Sequence, residues 1–167
     1  MKALRLCAVL VVMFLALPAF AQMQIDPELL RQAAPELLKK AEDGDANAQV
    51  ALGYMYASGQ GVPQNWGKAA QWWEKAAEKG NVEAQARLGA VYMAGVGVPK
   101  DYLKAAHWLR KAADQGDVNA KGGLGLLHIE GLGVARDKQL GCKLLREAAE
   151  QGQVKDVLKV YNQFCRK

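Results

Sequence analysis

The sequence predicts an all-α solenoid of 36-residue helix–turn–helix repeats, and three observations carry that prediction. Glycines recur at Gly44, Gly80, Gly116 and Gly152, each 36 residues after the last. Residues 44–79 laid over 80–115 without a gap are identical at 17 of 36 positions. Alanine and glycine carry much of the 51% apolar fraction while aromatics make up 7%, a composition suited to close helix packing rather than to a sheet. A fixed period of this length is the mark of repeat architectures, in which no unit buries its apolar stripe alone.

The chain opens on an address. Lys2 and Arg5 precede an uncharged apolar run of 12 residues from Leu6 to Leu17, Pro18 ends it, and Ala19-Phe20-Ala21 supplies a small-x-small pattern. Residues 1–21 therefore read as a secretory signal peptide cleaved between Ala21 and Gln22. The run is too short for the roughly 20 residues of a membrane-spanning helix, so the mature chain is expected to have no span and to be periplasmic or secreted. Removing Lys2 and Arg5 from 22 Lys+Arg leaves 20 against 17 Asp+Glu, a net +3, and no Lys/Arg run exceeds two residues. Nucleic acid, which demands clustered cations, is not the expected partner.

Residues 22–43 read as N-terminal capping helices. Asp26-Pro27-Glu28 gives a cap, a proline at the first helical position and an acidic first turn, and Pro35 to Gly44 matches the second half of a unit. In the first full unit, 44–79, Ala48, Leu52 and Tyr56 form one stripe of a helix. Gly53 lies beside that stripe, where a missing Cβ admits a neighbouring helix. Gly59-Gln60-Gly61-Val62-Pro63 breaks the chain. A second helix then runs from about Trp66 to Lys79, and Gly80 stops it. Trp72 and its counterpart Trp108 are in phase and expected in the core, with Trp66, Tyr102 and Trp73 at its flank. The unit 80–115 repeats this plan. The unit 116–151 keeps Ala120, Leu124, Gly125, Gly131, Gly133, Val134, Ala148 and Ala149 and is otherwise decayed, as terminal repeats of solenoids commonly are. Residues 152–167 read as a C-terminal half unit, a lone first helix from Gln153 to Cys165.

With Ala-Gln-x-x-Leu-Gly-x-x-Tyr (48–56, 84–92), Gly-x-Gly-Val-Pro (59–63, 95–99) and Lys-Ala-x-x-Trp-x-x-Lys-Ala-Ala (68–77, 104–113) in place, the chain resembles the Sel-one-like repeat (SLR) family, relatives of tetratricopeptide repeats. The third unit departs from the pattern at His128, Leu140-Gly141, Leu144 and Glu147. The resemblance implies a right-handed α/α superhelix whose first helices line a concave surface, and an adaptor or scaffold that binds protein partners as a monomer or weak oligomer. It also implies a contact strip just off the Leu-Gly-Tyr stripe. Carried onto this chain, that strip is Asn47, Val50, Tyr54, Glu83, Ala86, Ala90, Met93, Asn119, Leu126 and Ile129, small and mostly apolar, a lining that suits a helix or extended segment of a partner. A fold supports many functions, so two alternatives stand beside the adaptor: a periplasmic immunity or inhibitor protein, and a β-lactamase-like hydrolase.

The residues offer little to that hydrolase. Ser58 is the sole serine, it sits in a helix-ending turn, and threonine is absent. His107 and His128 are the only histidines, too few to converge with cysteines and carboxylates on a metal. The glycine pairs at 59/61, 95/97 and 131/133 lack a preceding strand and a following Lys-Ser/Thr, and so read as turns. No catalytic residue, metal or cofactor is expected.

Loss of Cys7 with the signal peptide leaves Cys142 and Cys165, and an even count in an oxidising compartment favours a disulfide between them. Ten and twelve residues from the Gly152-Gln153 turn, they lie opposite one another in an antiparallel helix pair. The alternative is two reduced thiols, since helix axes about 8–10 Å apart strain the reach of a bridge that needs Cα atoms within about 7 Å.

Overall fold

The computed structural model describes residues 27–152 and 155–165. The expected signal peptide and its expected cleavage site, Asp26 and Gln153 lie outside the described residues. Within them there are eight helices and no strand: α1 (Pro27–Glu42), α2 (Ala46–Ser58), α3 (Trp66–Glu78), α4 (Val82–Ala94), α5 (Tyr102–Asp114), α6 (Val118–Glu130), α7 (Lys138–Gly152) and α8 (Lys155–Cys165). The pairs α2/α3, α4/α5 and α6/α7 are the three units. Each first helix also packs on the second helix before it: α2 on α1, α4 on α3, α6 on α5, and α8 on α7.

The N-terminal cap differs from expectation. A single helix runs from Pro27 to Glu42 with Pro35 inside it. Proline removes one i→i−4 hydrogen bond, but Ala34, Leu37, Leu38 and Ala41 pack against Ala48, Leu52 and Met55 of α2, and this packing keeps the chain helical through the defect.

Every helix start within the repeats is written in the sequence by an Asp or Asn. Asp45, Asn81 and Asp117 cap the first helices, accepting from the N–H of Ala48, Ala84 and Ala120 at 3.0, 2.9 and 2.7 Å. Asn65, Asp101 and Asp137 cap the second helices, accepting from Lys68, Lys104 and Leu140 at 2.9, 3.0 and 2.9 Å. Each cap satisfies an N–H with no partner inside the helix. First helices end on left-handed glycines at 59, 95 and 131. The second glycine of the loop has an additional task between units. Gly133 has φ 66°, and a Cβ there would lie 2.7 Å from the backbone nitrogen of Leu103 in the unit before. Only glycine lets the loop of one unit rest on the start of the previous second helix.

Trp108 is buried in the core as expected, whereas Trp72 and Trp73 exchange their expected places. Trp73 is 1% exposed and sits at the centre of the core, whereas Trp72 is only partly buried. The deepest line of the second helices is Trp73, Leu109 and Leu145, the last two fully buried. It faces the glycines of the first helices: a Cβ on Gly89 would lie 2.6 Å from Leu109 Cγ, and one on Gly53 would fall within the Trp73 indole. Trp72 and Trp108 lie one residue outward, under Lys75 and Lys111 at 4.2 and 4.6 Å from their ring centres. The repeated lysines of the motif are thus cation–π covers for the repeated aromatics.

The buried glutamines stitch the units together. Gln49 Nε2 donates to Ala41 O at 2.9 Å and Gln85 Nε2 to Ala77 O at 3.1 Å, each reaching the last turn of the preceding second helix. At the other end, Cys142 of α7 and Cys165 of α8 meet in disulfide geometry with Cα atoms 5.6 Å apart. The pair is packed among the residues around Leu145, Val157 and Val160. Among the described residues no helix is long and apolar enough to cross a membrane.

Candidate functional site

The expected contact face is built from the first helices, whose first turns carry its exposed part. Each cap fixes the turn that follows it. Two residues beyond the caps stand Asn47, Glu83 and Asn119, all exposed. They occupy equivalent positions 36 residues apart and so form one row along the solenoid. Asn81 Nδ2 reaches Asn47 Oδ1 at 3.5 Å across the junction between units.

The rest of the expected strip is interior. Val50, Tyr54, Ala86, Ala90, Met93, Leu126 and Ile129 are all less than a tenth exposed. Val50, Tyr54, Ala86 and Met93 belong to the main core with Trp73 and Leu109, and Leu126 and Ile129 to the core beneath α8. The reason is geometric. In the first unit Ala48, Leu52 and Met55 face the preceding helix, while Val50 and Tyr54 face Trp73 and the following first helix, so stepping off the Leu-Gly-Tyr stripe leads onto a second packed flank. The side chains at these positions are packed into the core.

Beside the exposed row lies a polar cluster. The Tyr54 hydroxyl donates to Glu83 and accepts from Arg87 Nε at 2.7 Å. The Arg87 guanidinium also lies over the Tyr54 ring, 5.0 Å from its centre, and within 3.9 Å of Glu83. Burial pushes the Tyr54 phenol above the ordinary tyrosine range, the nearby Arg87 charge pulls it down, and the hydrogen bond to Glu83 adds to the rise. The matching positions in the other units are Ala51 and Gly123 for Arg87, and Ala90 and Leu126 for Tyr54. A charge where the repeat otherwise has alanine or glycine was the signal that could have marked Arg87 in advance.

The chemistry-bearing side chains elsewhere are spent locally. The Ser58 hydroxyl donates to Tyr54 O at 2.9 Å within its own helix. His128 is buried, with Nδ1 3.2 Å from Ala135 O, and His107 stands edge-on to Trp108 at 5.0 Å. Among the described residues no three His, Cys, Asp or Glu converge as metal ligands would.

Comparison with known proteins bears on this architecture directly. The family model described as Sel1 repeat matches residues 46–81, 82–117 and 120–153, the first two starting two residues later than the glycine frame and the third four residues later. No curated protein matches the chain. Among solved structures, a protective antigen of uropathogenic Escherichia coli displaying an SLR fold is 39% identical with a TM-score of 0.72, covering 76% of this chain and 27% of that one. A Sel1 repeat protein from Oxalobacter formigenes is 35% identical with a TM-score of 0.70, covering 76% and 52%. Cysteine-rich protein B of Helicobacter pylori is 25% identical with a TM-score of 0.59, covering 82% and 98%. This chain therefore spans about a quarter and about half of the first two and nearly the full length of the third.

Proposed function

The chain belongs to the Sel1 repeat family, and from that premise we propose that it is an exported adaptor that binds a partner protein across its first helices, with Asn47, Glu83 and Asn119 as the contact row. Sel1 repeats are typically protein–protein interaction modules. The observation that carries the proposal is the row itself: three exposed polar side chains at one repeat position, each set by a helix cap. Such a row offers hydrogen-bond donors and acceptors at a fixed spacing, which suits a partner segment recognised by polar groups rather than by apolar anchors. Arg87, held against Tyr54 and Glu83, adds a positioned cation at the centre of the row. The second-helix face is a weaker candidate, since its Trp72 and Trp108 are already covered by Lys75 and Lys111.

Export is supported by the charged, apolar and small-x-small segments of residues 1–21, and the Cys142–Cys165 pair fits an oxidising compartment. The test of both parts is one preparation. Protein recovered from the periplasm should begin at Gln22 by N-terminal sequencing. Immobilised, it should retain an envelope protein that is lost on Asn47→Arg/Asn119→Arg and kept on Gln71→Ala of the opposite face. Retention of the same protein by the double-arginine variant would end the contact-row assignment.

A further inference from the structure

The last described helix, α8, stands in the place of a first helix. α8 packs on α7 where each earlier first helix packs on the preceding unit, but no second helix follows it among the described residues. Val157 and Val160 bury among Leu126, Ile129, Leu145 and Ala148, with Tyr161 and Phe164 packed around them. Leu158, on the other side, is 48% exposed. The helix has 11 residues, short of the roughly 12–15 at which an isolated helix becomes even marginal in water. Its helicity therefore depends on an α6/α7 edge to lie against. The one covalent tie that makes this its own edge is Cys142–Cys165, which closes a separation of 23 residues.

We propose that reduction of Cys142–Cys165 allows α8 to leave its own α6/α7 edge and dock on that of a second copy, forming a dimer by reciprocal exchange of α8. The reductant is a dithiol: it gives two electrons and two protons to the bridge, becomes a disulfide itself, and leaves two thiols on the chain. Reoxidation by a disulfide oxidant returns the electrons and protons and seals two Cys142–Cys165 bonds between chains. The partner is a second copy because the edge that α8 fits is present, residue for residue, on every other copy. Exchange of an identical element forfeits no contact and closes a two-fold dimer at low cost. Only two residues separate Gly152, the end of α7, from Lys155, the start of α8, and short connections between packed elements favour exchange over return.

The experiment uses the mature wild-type chain in light and heavy isotopic forms, mixed, reduced with dithiothreitol at high protein concentration and reoxidised with oxidised glutathione. The oxidised starting material should be monomeric by light scattering. After the cycle a dimer that survives denaturant but is split by reductant should appear, in a fraction that rises with protein concentration, and its digestion should yield light–heavy Cys142–Cys165 bridged peptides. Bridged peptides that are only light–light or heavy–heavy would overturn the proposal. So would a covalent dimer joined through Cys142–Cys142 or Cys165–Cys165, since neither places α8 on the second copy's edge.

Discussion

Gly53 and Trp73 share one space: a Cβ at position 53 would fall within the indole of a tryptophan that is 1% exposed. Gly122 in α6 is the opposite case, where a Cβ would meet Val157 Cγ2 at 3.8 Å and Ala148 Cβ at 3.9 Å, ordinary contact distances. Its repeat counterparts are Val50 and Ala86, so the position accommodates side chains elsewhere in the solenoid. Replacing an interior helical glycine by alanine gains about 1 kcal/mol of helix propensity, while overpacking a closed core costs about 1–3 kcal/mol. Gly53→Ala should therefore lower the thermal midpoint and Gly122→Ala raise it. Equal shifts of the same sign in a melting experiment would contradict the packing described.

The interior status of the strip beside the Leu-Gly-Tyr stripe gives a second contrast. Met93 is 5% exposed and lies in the main core, so Met93→Ala should destabilise by about 2–5 kcal/mol. Asn119 is exposed, and Asn119→Ala should change stability by no more than about 0.5 kcal/mol. Urea titration of both variants decides the matter, and a stability-neutral Met93→Ala would restore an accessible groove.

What the sequence made legible is what the repeat itself enforces. The glycine period and the Leu52/Leu88/Leu124 stripe belong to every unit, so identity between copies reveals them. The caps at 45/81/117 and 65/101/137 are as regular, but each set mixes Asp with Asn, and counting identities between the first two units passes over them. The same blindness hid Trp73, Leu109 and Leu145, which differ in type while sharing the deepest position. Identity drew attention to Trp72 and Trp108 one residue away, of which Trp108 is buried and Trp72 only partly so. The contact strip was the least legible part, because periodicity assigns a residue to a face but does not say which faces the neighbouring units cover. Pro35 misled for a related reason: the packing of α1 on α2 outweighs a local break signal.

Tyr54 gives a pH dependence with a definite sign. Its phenol titrates above the ordinary value near 10 because burial opposes the phenolate. The unfolded chain loses that proton first as pH rises. The contribution to stability is therefore fully present below about pH 10 and is lost as pH climbs from there through the folded value. Tyr54→Phe removes the titrating group together with its hydrogen bonds to Glu83 and Arg87, at a cost of about 1 kcal/mol near neutrality. Stability measured by denaturant titration above pH 10 should thus fall more steeply in the wild type than in Tyr54→Phe. Parallel curves would mean that Tyr54 ionises as freely in the folded chain as in the unfolded one.

Two equivalent junctions differ by one acceptor. Gln85 Oε1 receives a hydrogen bond from Gln115 Nε2 at 2.7 Å, at the position where the end of a unit meets its own beginning. In the unit before, the matching acceptor, Gln49 Oε1, is buried with no hydrogen-bond partner. The residue matching Gln115 there is Lys79, whose ammonium instead reaches Gly44 O at the surface. A buried acceptor left unpaired costs about 1–3 kcal/mol, while the exposed lysine contact it competes with contributes little. Lys79→Gln should therefore supply the missing donor and stabilise the protein by about 1 kcal/mol, a rise of roughly 3 °C in the melting midpoint for a chain of this size. Lys79→Ala separates this from simple loss of the lysine, since it removes the charge and supplies no donor. A Lys79→Gln variant no more stable than Lys79→Ala would show that Gln49 Oε1 is already satisfied, by a water for instance. A gain confined to glutamine would establish that the first unit lacks a bond which the second one has.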